Sequence, residues 1–346
     1  MNIESLIARC FPNASSSPVI APLQGDASAR RYYRATVNPS ECGGISSLIA
    51  MELPQDITKS EEATGGVIPD RLPFLDVGDH LRAAGIRVPR TYLDATDEGG
   101  LLLEDLGDSR LVEAVTGADE NTKRGWYESA AAVAADMHRT MFPVPKSSIV
   151  STRRFDFELL RWELDHYREW GIEAHYGAAL PTAVRADLDR AFDDFATELA
   201  ALPLGFVHRD FQSRNLMVLG DTPAPEHLAV IDFQDALTGP RIYDLVALLN
   251  DSYADLDTTF KAHILEHYAA LSNLDTAALK TEFHLVTVQR KLKDGGRFVF
   301  IDRVKHNPSF LPFVETSFDR VKAALAAVPG HAPLKYALAA ADPRFR

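Results

Sequence analysis

The stretch from Val207 to Phe233 most narrows what this chain can fold into. Its middle, Arg209-Asp210-Phe211-Gln212-Ser213-Arg214-Asn215, has neither helical nor alternating apolar periodicity and therefore reads as a loop. Two apolar runs follow, Leu216-Met217-Val218-Leu219 and Leu228-Ala229-Val230-Ile231, separated by Gly220-Asp221-Thr222-Pro223-Ala224-Pro225, which reads as a β-hairpin turn. Closing that hairpin returns Asp232 to the side of Asn215. His208, Asp210, Asn215 and Asp232 are then expected at one end of a strand pair.

Those residues carry a specific chemistry. His208 to Asn215 satisfies H-R-D-x-x-x-x-N, and Val230-Ile231-Asp232-Phe233 adds a carboxylate after an apolar strand. In phosphoryl transfer the first Asp takes the proton of an acceptor hydroxyl, while the Asn and the second carboxylate hold Mg²⁺ against the nucleotide phosphates. A hard octahedral Mg²⁺ is content with one or two protein oxygens plus phosphate and water. On this reading Asp210 is the base, and Asn215 and Asp232 are catalytic as metal ligands. Asp and Asn also cap ordinary surface turns, so the joint order of the groups, and no single member, points to chemistry. His208 reads as a residue that holds the loop, because this reaction depends on positioning and electrostatics.

The wider wording resembles a known group, the aminoglycoside phosphotransferase and choline kinase superfamily. Gln24-Gly25-Asp26-Ala27-Ser28-Ala29-Arg30-Arg31-Tyr32-Tyr33-Arg34, Glu104-Asp105-Leu106-Gly107-Asp108, the His208 to Met217 loop, Ile231 to Ala236 and Gln289-Arg290-Lys291-Leu292-Lys293 together look like the anomeric N-acetylmuramate/N-acetylglucosamine kinases of bacterial cell-wall recycling. That resemblance spans residues from about 20 to 300. It implies an α+β, bilobal, protein-kinase-like fold, with a small antiparallel β-sheet lobe at 1–106 for the nucleotide and a mainly helical lobe at 107–346 for catalysis and the acceptor. It also implies ATP and Mg²⁺ as cofactors and phosphorylation of an amino-sugar at its C1 hydroxyl. Gly25, Asp26, Ser28 and Arg30 would belong to the turn that covers the phosphates. Glu104 and Leu106 would lie in the hinge whose backbone meets the adenine.

One position departs from the pattern. A conventional kinase carries a Lys on its third strand to grip the α and β phosphates, yet Ser47-Leu48-Ile49-Ala50-Met51-Glu52-Leu53-Pro54 has Met51 there and no Lys. Either Arg30, Arg31 or Arg34 replaces it, or the chain is a non-catalytic nucleotide-binding scaffold; the intact base and metal ligands favour the first. In an alternating strand Arg30 and Arg34 share a face that Arg31 does not. Gly25-Asp26-Ala27-Ser28 lacks the G-x-G-x-x-G spacing and could be a plain turn, although its small residues would let backbone N–H groups approach phosphate.

Composition excludes other classes. A chain of 346 residues, 46% hydrophobic and 25% charged, is an ordinary globular protein able to form two lobes, each with a core. No segment approaches the ~18 continuous apolar residues of a membrane span, and Met1 to Ile20 lacks a secretory signal. Cys10 and Cys42 form neither a disulfide framework nor a metal-ligand spacing, which suits a reducing cytoplasm. A net charge of −13 with no compact basic run argues against nucleic acid or anionic membrane as partner. It would suit a cationic acceptor, so aminoglycosides and choline-like alcohols stay open as alternatives.

The order of segments agrees with two lobes. A short helix at Ile3–Phe11 precedes strands between Val19 and Leu53; a helix begins at Pro73 and ends at Gly85, with Asp76 or Asp79 facing solvent; a strand pair covers Arg90–Asp94 and Gly100–Glu104. Lys59 to Asp70 reads as a loop. Helical periodicity follows at 126–141, 155–170, 182–202, 276–294 and 310–328, with Trp and Tyr read as core. The resemblance implies that Asp244 anchors the catalytic loop; its plainer reading is a carboxylate at a helix N-terminus, and both can hold. The acceptor pocket is expected between Asp210, Gln234, Asp235 and the helices after residue 250. Arg290, Lys293 and Arg297, at helical spacing, are candidates for a substrate carboxylate, or a solvated basic face.

Overall fold

The computed structural model describes residues 1–23, 30–54 and 70–346. The first strands follow from β-branched and aromatic residues broken by Gly and Pro: β1 (Val19–Leu23), β2 (Arg31–Thr36) and β3 (Ser47–Glu52), behind helix α1 (Ile3–Cys10). Asn2 caps α1 by accepting the Ser5 N–H. Helix α2 (Pro73–Ala83) starts with Pro in its first turn and stops at Gly85, whose φ is +83°. Strands β4 (Thr91–Ala95) and β5 (Gly100–Glu104) complete an antiparallel sheet of order β1-β2-β3-β5-β4.

The remainder is mainly helical. It runs through α3 (Leu111–Val115), α4 (Glu120–Met141), α5 (Phe157–His166), α6 (Thr182–Ala200), β6 (Leu204–Val207), β7 (Leu216–Val218), β8 (Leu228–Val230), β9 (Leu237–Pro240), α7 (Tyr243–Leu249), α8 (Thr258–Ser272), α9 (Thr276–Lys305), α10 (Phe313–Ala327) and α11 (Ala332–Ala341). The hairpin read from the sequence is β7–β8, registered Leu216 to Val230 and Val218 to Leu228. The β6–β9 pair lacks a sequence signal, because four-residue strands over thirty residues apart show no local turn. Helix α5 widens into a π-helical turn at Tyr167–Ala174, and α9 reaches Lys305, well past the 294 expected.

The cores divide differently from one per lobe. A small one lies between α1 and one sheet face and includes Leu6, Ile7, Leu48, Ala50 and Leu102. The other sheet face contributes Met51, Leu101 and Leu103 to a core that continues through Phe74, Leu75 and Val77 of α2 into the helices. The reason is that α2 covers the sheet and touches the helical region at once. Alternation along β3 puts Leu48 and Ala50 on one side and Met51 on the other.

The expectation for the acidic residues of α2 holds for one only. Asp79 is exposed and pairs with Arg71 and Arg82. Asp76 is buried, where its Oδ2 accepts from Ser148 Oγ at 3.0 Å and Ile149 N at 2.9 Å. Trp126, Tyr127 and Tyr167 are core residues as read, whereas Trp162 lies on the surface.

Candidate active site

The β6–β9 pair delivers the loop. Val207 ends β6, and Asp244, in the first turn of α7, accepts the next two backbone N–H groups, His208 at 2.8 Å and Arg209 at 3.0 Å. Asp244 is fully buried, so its charge is compensated by those donors and by His138 Nε2 at 3.4 Å. Anchor and helix-terminus carboxylate are thus one residue. His208 Nε2 donates to the Ile231 carbonyl at 3.0 Å and Nδ1 accepts from Asp210 N at 3.2 Å, so this ring ties the loop to the hairpin.

Two non-glycine residues here adopt positive φ, Arg209 at +80° and Asp232 at +64°. Left-handed backbone costs an L-residue about 1–2 kcal/mol, so the surroundings must enforce it. For Arg209 the enforcement is visible: Nη2 donates to the buried Glu163 at 2.9 Å, Glu163 accepts from Gln289 at 2.5 Å, and Arg290 donates to the Arg209 carbonyl at 2.8 Å. The turn leaves Asp210 with its side chain 38% exposed.

The motif residues converge. Asn215 Nδ2 donates to the Asp210 carbonyl at 2.8 Å and stands 3.5 Å from Asp232 Oδ2. That bond turns Oδ1 of the same amide away from the carbonyl. Gln234 Nε2 donates to Asp232 Oδ1 at 2.8 Å and reaches Asp235 at 3.3 Å. Burial, and then the negative charge of Asp210, push the Asp232 carboxyl above its ordinary range. A divalent cation would relieve both effects. A carboxylate and an amide oxygen, completed by non-protein oxygens, are a donor set that suits Mg²⁺.

The expected phosphate-side residues are divided. Gly25, Asp26 and Ser28 lie outside the described residues. Met51 is fully buried, paired with Tyr32 of β2 and Leu101 of β5. Of the arginines that could replace a lysine there, Arg34 is committed to Asp105 at 2.7 Å and Asp108 at 2.8 Å, and Arg31 to Glu52 at 2.9 Å. Arg30 hydrogen-bonds the Tyr32 hydroxyl, whose pKa burial raises and on which the Asp232 charge also acts. The Glu104 carboxylate is occupied by Arg87 at 2.5 Å and Arg90 N at 3.1 Å, and its own N–H donates to the Arg90 carbonyl at 2.8 Å. Leu106 is partly buried just before Gly107, whose φ is +82°.

Arg290, Lys293 and Arg297, read as carboxylate binders or a solvated face, are placed otherwise, and Asp251 and Arg153 join the site without a signal in the sequence. Arg290 is 1% exposed and reaches Asp210 Oδ1 at 3.4 Å, so the solvated-face reading fails for it. Lys293 is also buried, and Arg297 lies 4.9 Å over the Phe300 ring. Asp251 receives Ser213 N at 2.9 Å and also the Ser213 hydroxyl, fixing the middle of the loop. Arg153 donates to the Gln234 carbonyl at 2.7 Å.

The phosphotransferase enzyme family model matches residues 19–280. N-acetylmuramate/N-acetylglucosamine kinase of Pseudomonas aeruginosa is 30% identical over 329 residues, covering 92% of this chain and 88% of that protein. The kinase of the same name from Neisseria meningitidis is 30% identical over 281 residues, covering 79% and 75%. Among solved structures, a choline/ethanolamine kinase family protein from Mesorhizobium loti superposes with TM-score 0.60 at 16% identity, covering 98% of this chain and 97% of that one. ADP-bound aminoglycoside phosphotransferase APH(2'')-Ib gives 0.57 at 13% identity, covering 87% and 92%. The antiparallel sheet followed by helices is the protein-kinase-like fold of these phosphotransferases.

Proposed function

This chain belongs to the phosphotransferase enzyme family, and on that premise we propose that it transfers the γ-phosphoryl group of ATP to the anomeric C1 hydroxyl of N-acetylmuramate, N-acetylglucosamine or both. The observation that carries the reading is the convergence of Asp210, Asn215 and Asp232, with one amide 2.8 Å from the first and 3.5 Å from the last. The acceptor follows from the names of the relatives that match most of the chain at 30% identity.

In this reading residues 1–106 hold the nucleotide and residues 107–346 hold the acceptor. Asp210 accepts the proton of the attacking hydroxyl, for which its half-exposed position is suited. Asn215 and Asp232 would hold Mg²⁺, which when bound neutralises charge on the phosphates and aligns them for in-line transfer. Arg30 offers the cation that Met51 cannot, and Gly25, Asp26 and Ser28 would complete the phosphate cover. The backbone from Glu104 to Leu106 meets the adenine. Asp244 and His208 keep the loop in register. An amino-sugar acceptor in peptidoglycan recycling suits a cytoplasmic enzyme, and no helix among the described residues is long and apolar enough to cross a membrane.

The test is Mg²⁺-dependent ADP release from ATP with N-acetylmuramate, N-acetylglucosamine, other hexoses, aminoglycosides and choline, with Asp210→Asn as control. Release with the amino-sugars, and product phosphate at C1, is expected. Release only with aminoglycosides or choline would move the acceptor assignment; nucleotide binding without turnover of any acceptor would favour a scaffold.

A further inference from the structure

Helix α2 carries a buried carboxylate with no lysine to pair with. In a conventional kinase the corresponding helix places an acid on the third-strand Lys, but here that position is the buried Met51. Asp76 instead accepts from two neutral donors of a different segment, Ser148 Oγ and Ile149 N. His80 Nδ1 stands 3.9 Å from Oδ2, and that nitrogen already faces the Asp76 carbonyl at 2.9 Å. Keeping a carboxylate out of water costs several kcal/mol unless its surroundings compensate. Those donors open a short turn, Ile149–Thr152, that ends at Arg153, whose N–H donates to the Val150 carbonyl at 3.2 Å.

The two ends of this chain of contacts meet on either side of Asp232. Arg153 Nη1 donates to the carbonyl of Gln234, and Gln234 in turn holds Asp232 Oδ1. On the other side Phe233 stacks on Phe74 of α2, ring centroids 4.9 Å apart. A Cβ at Gly78 would lie 3.1 Å from the Phe233 ring, so α2 approaches as closely as a glycine allows. Arg153 is further fixed through its carbonyl, which accepts from Thr238 N at 3.0 Å.

We propose that Asp76 is a positioning residue for Asp232, acting through Ser148, Ile149 and Arg153 on Gln234 and through α2 on Phe233. The inference rests on Asp232 holding the metal ion. It explains how a left-handed Asp232, whose φ is +64°, is kept in place.

The experiment is a Mg²⁺ titration of fluorescent ADP-analogue binding to the full-length chain, run on the wild type, Asp76→Asn, Arg153→Met, Ser148→Ala and the double variant Asp76→Asn/Arg153→Met. Hydrogen exchange of the amides of residues 232–236 is measured in the metal-free protein. Expected is a roughly tenfold rise in the Mg²⁺ half-saturation for Asp76→Asn and for Arg153→Met, with the double variant no worse than either, because they act in series. Ser148→Ala, which leaves Ile149 N in place, is expected to give roughly a threefold rise and serves if Asp76→Asn fails to fold. Faster exchange at 232–236 accompanies both. A lowered melting temperature with unmoved Mg²⁺ half-saturation, or effects that multiply in the double variant, would overturn the inference while leaving the kinase reading intact. A wild type without Mg²⁺-dependent nucleotide binding would overturn the role of Asp232 and this inference with it.

Discussion

One guanidinium nitrogen of Arg290 stands 3.4 Å from Oδ1 of Asp210 while the other donates to the Arg209 carbonyl at 2.8 Å. Arg290 is buried over the Tyr243 ring, 5.0 Å from its centroid, so a rigid fork from α9 aims the carboxylate. Lys cannot make both contacts in that geometry. We expect Arg290→Lys to lower kcat about tenfold and Arg290→Met about a hundredfold, with Mg·ATP affinity within about threefold of wild type, since misaimed catalytic groups cost orders of magnitude. Steady-state kinetics with a separate nucleotide-binding titration checks this; equal losses in both would make Arg290 a binding residue.

Asp210 and Asp232 should separate by what they lose. Asp210→Asn is expected to reduce turnover by about two to four orders of magnitude with nucleotide binding retained. Asp232→Ala should abolish the Mg²⁺ dependence of nucleotide binding. Calorimetric titration with and without Mg²⁺ distinguishes them, and survival of turnover in Asp210→Asn would refute base assistance.

Removing the Asp244 carboxylate strands the His208 and Arg209 N–H groups in the interior. Each unsatisfied buried donor costs about 1–3 kcal/mol, so Asp244→Ala should lower the melting temperature by roughly 5 °C or more in a chain this size. Turnover measured well below that transition should fall as well, because the loop loses its anchor. A variant with wild-type melting would mean the two N–H groups find other acceptors.

Lys261 should make stability depend on pH. Burial, then the nearby Arg320 guanidinium, pull its pKa down to about 8, although Asn250 Oδ1 accepts from its ammonium at 2.9 Å. Asp255 and Asp257 pull it upward, and Lys291 pulls it down. Between about pH 8 and the unfolded value near 10.5 the unfolded chain keeps the proton that the folded one has released, so stability rises with pH in that window. Below pH 8 both states are charged and the slope from this group vanishes. Thermal unfolding from pH 7 to 10 on the wild type and Lys261→Met tests it; an identical slope in both would exclude Lys261 as its source.

How much of the site could be read locally is shown by two neighbouring residues. Asn215 and Asp232 lie seventeen positions apart across a hairpin, a pairing that turn chemistry and apolar alternation encode directly. Arg290 lies eighty positions from Asp210, and Asp76 seventy-two from Ser148. Nothing in the spacing of either pair marks a contact. Arg290 and Lys293 read either as candidates for a substrate carboxylate or as a solvated face, because charge on a helix usually is one; they are buried because α9 runs through the helical lobe against the loop. Asp76 differs for a related reason, since α2 is amphipathic toward two surfaces at once and its outer side meets residues 148–149.

By itself the sequence determined the sheet-then-helix order, the β7–β8 hairpin and the clustering of Asp210, Asn215 and Asp232, because each depends on periodicity and turn residues within a few tens of positions. Beyond the expected Asp244 anchor, tertiary structure alone decided which groups hold them: Arg290, Asp251 and the segment from Ser148 to Arg153 that meets Asp76. Burial of a charge is tolerable only where donors from other elements arrive to meet it. That arrival is set by how α2, α7 and α9 pack around one core, which no local pattern records.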